Sequence, residues 1–161
     1  MSVNSWVEPA GLSAQAPIYE PGGSDRGTET RVLVADDDEE TRLVLRCALE
    51  DEGYQVVEAA HGKAAQAIVV RSGGTLVAVL DQRMPGLFGT EVLDTTLGMR
   101  AIMQNRRYVL LTASPQLLPE PYCHPWFQRF VPVLSKPFDL EAFLGIVASA
   151  NRELVQAHTA W

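Results

Sequence analysis

Arg31-Val32-Leu33-Val34-Ala35-Asp36-Asp37-Asp38 is an apolar run that ends in three carboxylates. About 45 residues further on, Leu76-Val77-Ala78-Val79-Leu80-Asp81 repeats the pattern and continues into Gln82-Arg83-Met84-Pro85-Gly86. Runs this short and this apolar read as strands buried on both faces. A helical period succeeds each run. Over 38–52, Thr41, Val44, Leu45, Ala48 and Leu49 share one face. Asp38 is suited to cap that helix, Glu39 and Glu40 suit the positive end of its dipole, and Gly53 stops it.

The alternation continues along the chain. A strand is expected over 54–58, an Ala-rich helix over 62–72 closed by Gly73-Gly74, and a third strand over 75–80. The loop 81–89 leads to a helix over 90–104, then a strand over 107–112. A fifth strand is expected over 130–135. The closing helix should run from Asp139 to about Ala157 with Leu140, Phe143, Leu144 and Val147 inward. Strands alternating with helices imply right-handed crossovers and a parallel sheet covered by helices on both faces, an α/β doubly wound fold. The segment 113–129 departs from this rhythm, because Pro115, Pro119, Pro121 and Pro125 leave room only for a short or broken helix. Residues 1–28, rich in Pro, Gly, Ser and Ala without a helical or strand period, read as a flexible N-terminal tail, and 29–157 as one domain.

Composition narrows the function classes. At 161 residues the chain has the length of one domain, with enough mass to bury a core without staples. A net charge of −7 argues against sequence-independent nucleic-acid binding and against a basic membrane-surface helix. No apolar run approaches the roughly 20 residues that span a bilayer, and the N-terminus does not read as a signal peptide. Cys47 and Cys123 form no CxxC and fit a reducing compartment. The expected location is cytoplasmic.

The chemistry lies in Asp36, Asp37 and Asp81. Carboxylates at the carboxyl ends of parallel strands sit where such sheets bind ligands, and the ends of the first and third strands are neighbours. Gathered there, they repel each other: two unit charges about 4 Å apart cost roughly 4 kcal/mol at an effective dielectric of about 20. A shared proton or a hard cation relieves this. Mg²⁺ takes oxygen ligands, and a carboxylate left facing outward can attack phosphorus to form an aspartyl phosphate. Thr112 ends the fourth strand, and Lys136 ends the fifth just before Pro137. A hydroxyl and an ammonium there can take up phosphoryl oxygens.

With Leu80-Asp81-Gln82-Arg83-Met84-Pro85-Gly86 followed by Gly89, Leu111-Thr112-Ala113 and Ser135-Lys136-Pro137-Phe138, the chain over roughly 30–150 resembles the receiver domain of two-component response regulators. The resemblance implies a flavodoxin-like, five-stranded parallel sheet of order 2-1-3-4-5. It implies that Asp81 accepts a phosphoryl group from a phosphohistidine of a sensor kinase or phosphotransfer protein. Asp36, Asp37, Asp81 and the backbone carbonyl of Arg83 would hold Mg²⁺, and Thr112 and Lys136 would act as switch residues. The Lys136–Pro137 bond would be cis. It further implies a phosphoacceptor rather than an enzyme, partner binding that changes with phosphorylation, and possible homodimerisation. With about 25 residues left after Lys136, a stand-alone receiver without a DNA-binding output domain is expected.

Two departures stand out. Val133 occupies the position, three before the lysine, where the family often carries Tyr or Phe. Phe130 replaces it only if the strand register differs. The proline-rich 113–129 replaces much of the usual fourth crossover.

Blander readings stand beside these. Asp38 alone is a helix cap, Asp81 with Pro85 and Gly86 alone is a turn, and Thr112 alone satisfies backbone. Arg83 either faces solvent or shields the acyl phosphate from water. Leu43 and Cys47 either pack locally or form a docking patch for a phosphotransfer helix. Cys123 and His124 lack the second pair a metal site needs. Trp126 and Phe127 are expected to anchor the irregular segment onto the sheet. Two competing functions remain. A haloacid-dehalogenase-type phosphatase would need DxDx[TV], but Glu40 stands at the last position. A phosphate-independent adaptor is motivated by Val133.

Overall fold

The computed structural model describes residues 30–160, so the expected tail over 1–28 lies outside the described residues. Five parallel strands form one sheet: β1 (Arg31–Ala35), β2 (Gln55–Ala59), β3 (Leu76–Asp81), β4 (Arg106–Thr112) and β5 (Val133–Ser135), in the order β2-β1-β3-β4-β5. The chain between them forms α1 (Glu39–Asp51), α2 (Gly62–Arg71), α3 (Gly89–Leu97) and the short α4 (Arg100–Met103), and α5 (Leu140–Thr159) closes the domain. This is the doubly wound sheet that the alternation predicts.

The strand alternation sorts residues into two cores. Val32, Val34, Val77, Val79, Val109 and Leu111 meet Leu45 and Leu49 of α1 and Phe143, Val147 and Leu154 of α5. Leu33, Ala35, Leu76, Ala78, Leu80 and Leu110 face the other way, onto Ala65 and Val69 of α2 and Val92 and Leu93 of α3. That face continues into Leu118, Tyr122 and Val131 of the irregular segment. A strand's period of two thus builds three layers from one sheet.

Local signals account for the element ends. The Asp38 carboxylate accepts from Thr41 N at 3.1 Å and caps α1. Gly53 ends it at φ +87°, with Gly53 N donating to Glu50 O at 2.9 Å and Tyr54 N to Leu49 O at 3.0 Å. These are the paired bonds of a Schellman stop, and the left-handed residue in it favours glycine. The Asp139 carboxylate accepts from Ala142 N at 2.9 Å and caps α5. Arg106, buried at the start of β4, donates to the carbonyls of Val69, Ser72 and Gly74, tying the end of α2 to the sheet. The guanidinium offers several donors to carbonyls around the negative end of the helix.

Several expectations need correction. The helix expected over 90–104 breaks after Leu97. Thr95 and Thr96 turn their hydroxyls back onto the carbonyls of Val92 and Leu93, and Gly98 comes next. Both features weaken a helix. β5 starts at Val133 instead of 130, because Pro132 has no N–H for the ladder and Phe130 N and Val131 N both donate to Phe127 O. Val44 and Leu140, expected inward, are 55% and 38% exposed on the rims of α1 and α5. The proline-rich crossover holds a single 3₁₀ turn, Pro115–Leu117, and a chain of tight turns. Among the described residues, no helix is long and apolar enough to cross a membrane.

Candidate functional site

Strand register assembles the site. Ala35 pairs with Leu80, so Asp36, one residue past β1, stands level with Asp81 at the end of β3. Asp81 pairs with Leu111, and Thr112 pairs with Ser135, which puts Lys136 one residue further out. Lys136 N donates to Thr112 O at 2.8 Å, extending the β4–β5 pairing by one step. Four stretches of chain that are remote in sequence therefore deliver their polar residues to one edge of the sheet.

Asp36, Asp37 and Asp81 each place a carboxylate oxygen within 4.8 Å of the others. Asp36 and Asp81 are buried, at 1% and 6% exposure, while Asp37 opens to solvent. Lys136 Nζ lies 2.6 Å from Asp36 Oδ2 and 3.2 Å from Asp81 Oδ1. The other Asp36 oxygen accepts from Asp38 N at 2.9 Å, which fixes the orientation of that carboxylate. Burial, and then the Asp36 charge, push the Asp81 carboxyl up to about 6, against the pull of Lys136. Burial acts to lower the Lys136 ammonium, but the hydrogen bond to Asp36 and the charges of both aspartates outweigh it and raise its pKa. The site thus holds surplus negative charge that Lys136 relieves in part. Three carboxylate donors, all oxygen, around one point suit a hard divalent cation and fit Mg²⁺. Asp38 is not part of this set, because Thr41 occupies its side chain through both backbone N and hydroxyl.

The response regulator receiver domain family matches residues 32–148. The chain belongs to that family. Sporulation initiation phosphotransferase F of Bacillus subtilis (strain 168) is 36% identical over 87 residues, 54% of this chain and 67% of that protein. Transcriptional regulatory protein ResD of the same organism is 41% identical over 68 residues, 42% of this chain but only 28% of ResD. Response regulator protein TrrA of Thermotoga maritima, solved in complex with Mg²⁺-BeF, superposes with a TM-score of 0.59 at 25% identity, covering 75% of this chain and 98% of that one. The fold just described is thus that of a receiver domain of two-component systems.

Within the receiver, Thr112 is buried at the end of β4, where its Oγ1 accepts from Ser114 N at 3.1 Å. Arg83 lies two residues beyond Asp81 with its side chain in solvent. The Lys136–Pro137 bond is cis, as the family resemblance implies. Phe130 is 70% exposed and outside β5, and Val133 pairs with Leu110, so no aromatic occupies this strand three residues before Lys136. Glu40, the residue that departs from the phosphatase signature, is an exposed first-turn residue of α1. Phe127 packs against the core as expected, but Trp126 is 58% exposed and touches Phe127 edge-on. Leu43 and Cys47 are exposed on α1. The rim beside them carries an open cleft lined by Thr41, Val44, Leu45, Phe138 and Leu140. A larger cavity of about 500 Å³, lined by Gln104, Asn105, Arg107 and His158, lies at the start of β4, away from the carboxylates.

Sequence reasoning missed one group that shapes the site. The Gln82 side chain accepts from Thr90 N at 3.0 Å and donates to Thr90 Oγ1 at 3.1 Å. Gly89 N donates to the Gln82 carbonyl at 3.0 Å. Together these bonds fold the loop after Asp81 back on itself and seat α3 against the end of β3. Only the proximity of Gln82 to Asp81 hinted at this.

Proposed function

We propose that Asp81 accepts a phosphoryl group from a phosphohistidine of a sensor kinase or phosphotransfer protein. An oxygen of Asp81 forms the P–O bond as the P–N bond breaks, and the electron pair leaves with the imidazole. Asp36, Asp37, Asp81 and the backbone carbonyl of Arg83 would hold Mg²⁺, which supplies charge neutralisation for the transferring group. Thr112 donates its hydroxyl to one phosphoryl oxygen, and Lys136 leaves Asp81 to pair with another. The protein promotes its own phosphorylation and dephosphorylation and is not an enzyme acting on other substrates. The exposed rim of α1 around Leu43 and Val44 is the face a phosphotransfer helix would meet. The output is a changed affinity for a protein partner.

The observation that carries this reading is the buried Asp81 carboxylate, 3.2 Å from Lys136 Nζ and gathered with Asp36 and Asp37. Incubation with acetyl phosphate and Mg²⁺ should yield a base-labile adduct in the wild type and none in Asp81→Asn. Equal labelling of both would remove Asp81 as the nucleophile. An adaptor indifferent to phosphate is the competing reading, favoured by the missing strand aromatic. It requires partner binding to be the same in wild type, Asp81→Asn and Asp81→Glu.

A further inference from the structure

The irregular crossover after β4 is packed onto the core by Leu118, Tyr122 and Val131, and two of its hydrogen-bond anchors lead back to the site. Its start hangs on Thr112, whose Oγ1 accepts from Ser114 N. Its middle hangs on Tyr122. That ring is 1% exposed and packs edge-on against Phe127 at 5.1 Å between centroids. The Tyr122 carbonyl accepts from Gln128 Nε2 at 2.9 Å, and the Tyr122 hydroxyl donates to the Asp94 carboxylate on α3. α3 is itself tied to the residue after Asp81 by the Gln82–Thr90 and Gln82–Gly89 bonds. A closed path therefore runs from Asp81 through α3 to Tyr122, and back through the crossover to Thr112.

We infer that the Tyr122–Asp94 bond is a latch that holds the 113–131 crossover closed against α3 until Thr112 is drawn toward Asp81. This inference rests on the phosphoacceptor reading of Asp81. A Thr112 side chain that swings its Oγ1 toward a phosphoryl oxygen carries that atom away from Ser114 N, and the crossover loses its first anchor. The Tyr122–Asp94 bond then becomes the polar tie between the crossover and α3, beside the burial of Leu118 and Val131. Asp94 is exposed, so its carboxylate exchanges a tyrosine hydroxyl for water at small cost, whereas the buried ring would have to move with the chain. Leu117, Trp126 and Phe130 ride on the same crossover at 74%, 58% and 70% exposure, so opening the latch rearranges the largest apolar side chains of that surface. The buried aromatic that reports the state of Thr112 is thus on the crossover, not on β5, where Val133 stands.

Hydrogen exchange of the full chain, read peptide by peptide with and without Mg²⁺ and beryllofluoride, tests the latch. Fluorine NMR of bound beryllofluoride, absent in Asp81→Asn, reports occupancy independently. In the wild type, beryllofluoride should speed exchange across 114–131 roughly tenfold. Tyr122→Phe and Asp94→Ala should exchange there roughly tenfold faster before any addition. Both should bind beryllofluoride several-fold more tightly, because the closed state no longer competes. Exchange of β1 and β3 peptides should stay at the wild-type rate in both variants, which separates latch release from unfolding. Crossover exchange that is unchanged in both variants, or unchanged by bound beryllofluoride in the wild type, would overturn the latch while leaving the phosphoacceptor intact. Absence of bound beryllofluoride in the wild type would overturn the phosphoacceptor and the coupling with it.

Discussion

Asp81 is held in a state it disfavours. Its carboxyl titrates at about 6 instead of 3.8, chiefly because it is buried and faces Asp36. The folded state therefore binds this proton more tightly than the unfolded chain does. Between pH 3.8 and 6 the contribution of Asp81 to stability falls as pH rises, and above 6 the full penalty is present. Asp81→Asn removes that charge but also takes one partner from Lys136, which keeps Asp36. The net gain expected at pH 8 is about 1–2 kcal/mol, shrinking toward zero near pH 4. Urea denaturation of the metal-free protein at both pH values measures it. A variant less stable than wild type at pH 8 would mean that the carboxylate is more stabilising than its surroundings imply. At this scale the sequence was informative for a simple reason. Asp36, Asp81, Thr112 and Lys136 each lie at or directly after the end of a strand, so strand periodicity puts each at the carboxyl edge, and the sheet order implied by the resemblance brings them together. The Gln82–Thr90 and Tyr122–Asp94 bonds join side chains whose meeting depends on how loops close, and no period in the sequence encodes that.

Elements join to the site by close approach as well as by hydrogen bonds. A Cβ on Gly89 would stand 2.7 Å from the Asp81 carbonyl oxygen, so α3 can begin this near β3 only with glycine at its first position. Gly89→Ala should push α3 away and cost about 1–3 kcal/mol. It should also slow acetyl phosphate labelling by more than the lost stability accounts for. The thermal midpoint and the labelling rate, compared in the same samples, decide this. A variant that labels at the wild-type rate would show that the α3 start does not position Asp81. Helix ends were readable from sequence where a cap or a stop is local, as at Asp38 and Gly53. They were misread where breaking depends on competing side-chain bonds, as at Thr95 and Thr96, and a strand start was misread where a proline blunts it, as at Pro132. Val44 was placed inward by a wheel that cannot know how wide a face α5 and the sheet leave for α1.

The whole molecule is a sheet whose two cores fix the backbone ends that carry the acidic edge. This makes cation binding and global stability one equilibrium. The doubly wound parallel sheet followed from strands alternating with helices, since right-handed crossovers leave few topologies, and its order followed from the receiver resemblance. The proline-rich crossover did not follow, because its course is set by burial of Leu118, Tyr122 and Val131 instead of by a repeating pattern. A cation that binds only the folded edge stabilises the entire domain by RT ln(1 + [Mg²⁺]/Kd), about 2.7 kcal/mol at one hundred times Kd. For a domain of this size that corresponds to a rise in Tm of about 5–10 °C. Below pH 6 a proton on Asp81 competes with the metal, so the apparent affinity falls as pH drops through that value. Scanning calorimetry should therefore show a Mg²⁺-induced rise at pH 8 that is much smaller at pH 5. EDTA should reverse it, and in Asp81→Asn it should be reduced at pH 8. Asp36 and Asp81 come from the two strands of the β1–β3 pairing, so the shift also reports that this pairing is intact. An equal shift in wild type and Asp81→Asn, or a larger one at pH 5 than at pH 8, would place the cation elsewhere on this acidic chain.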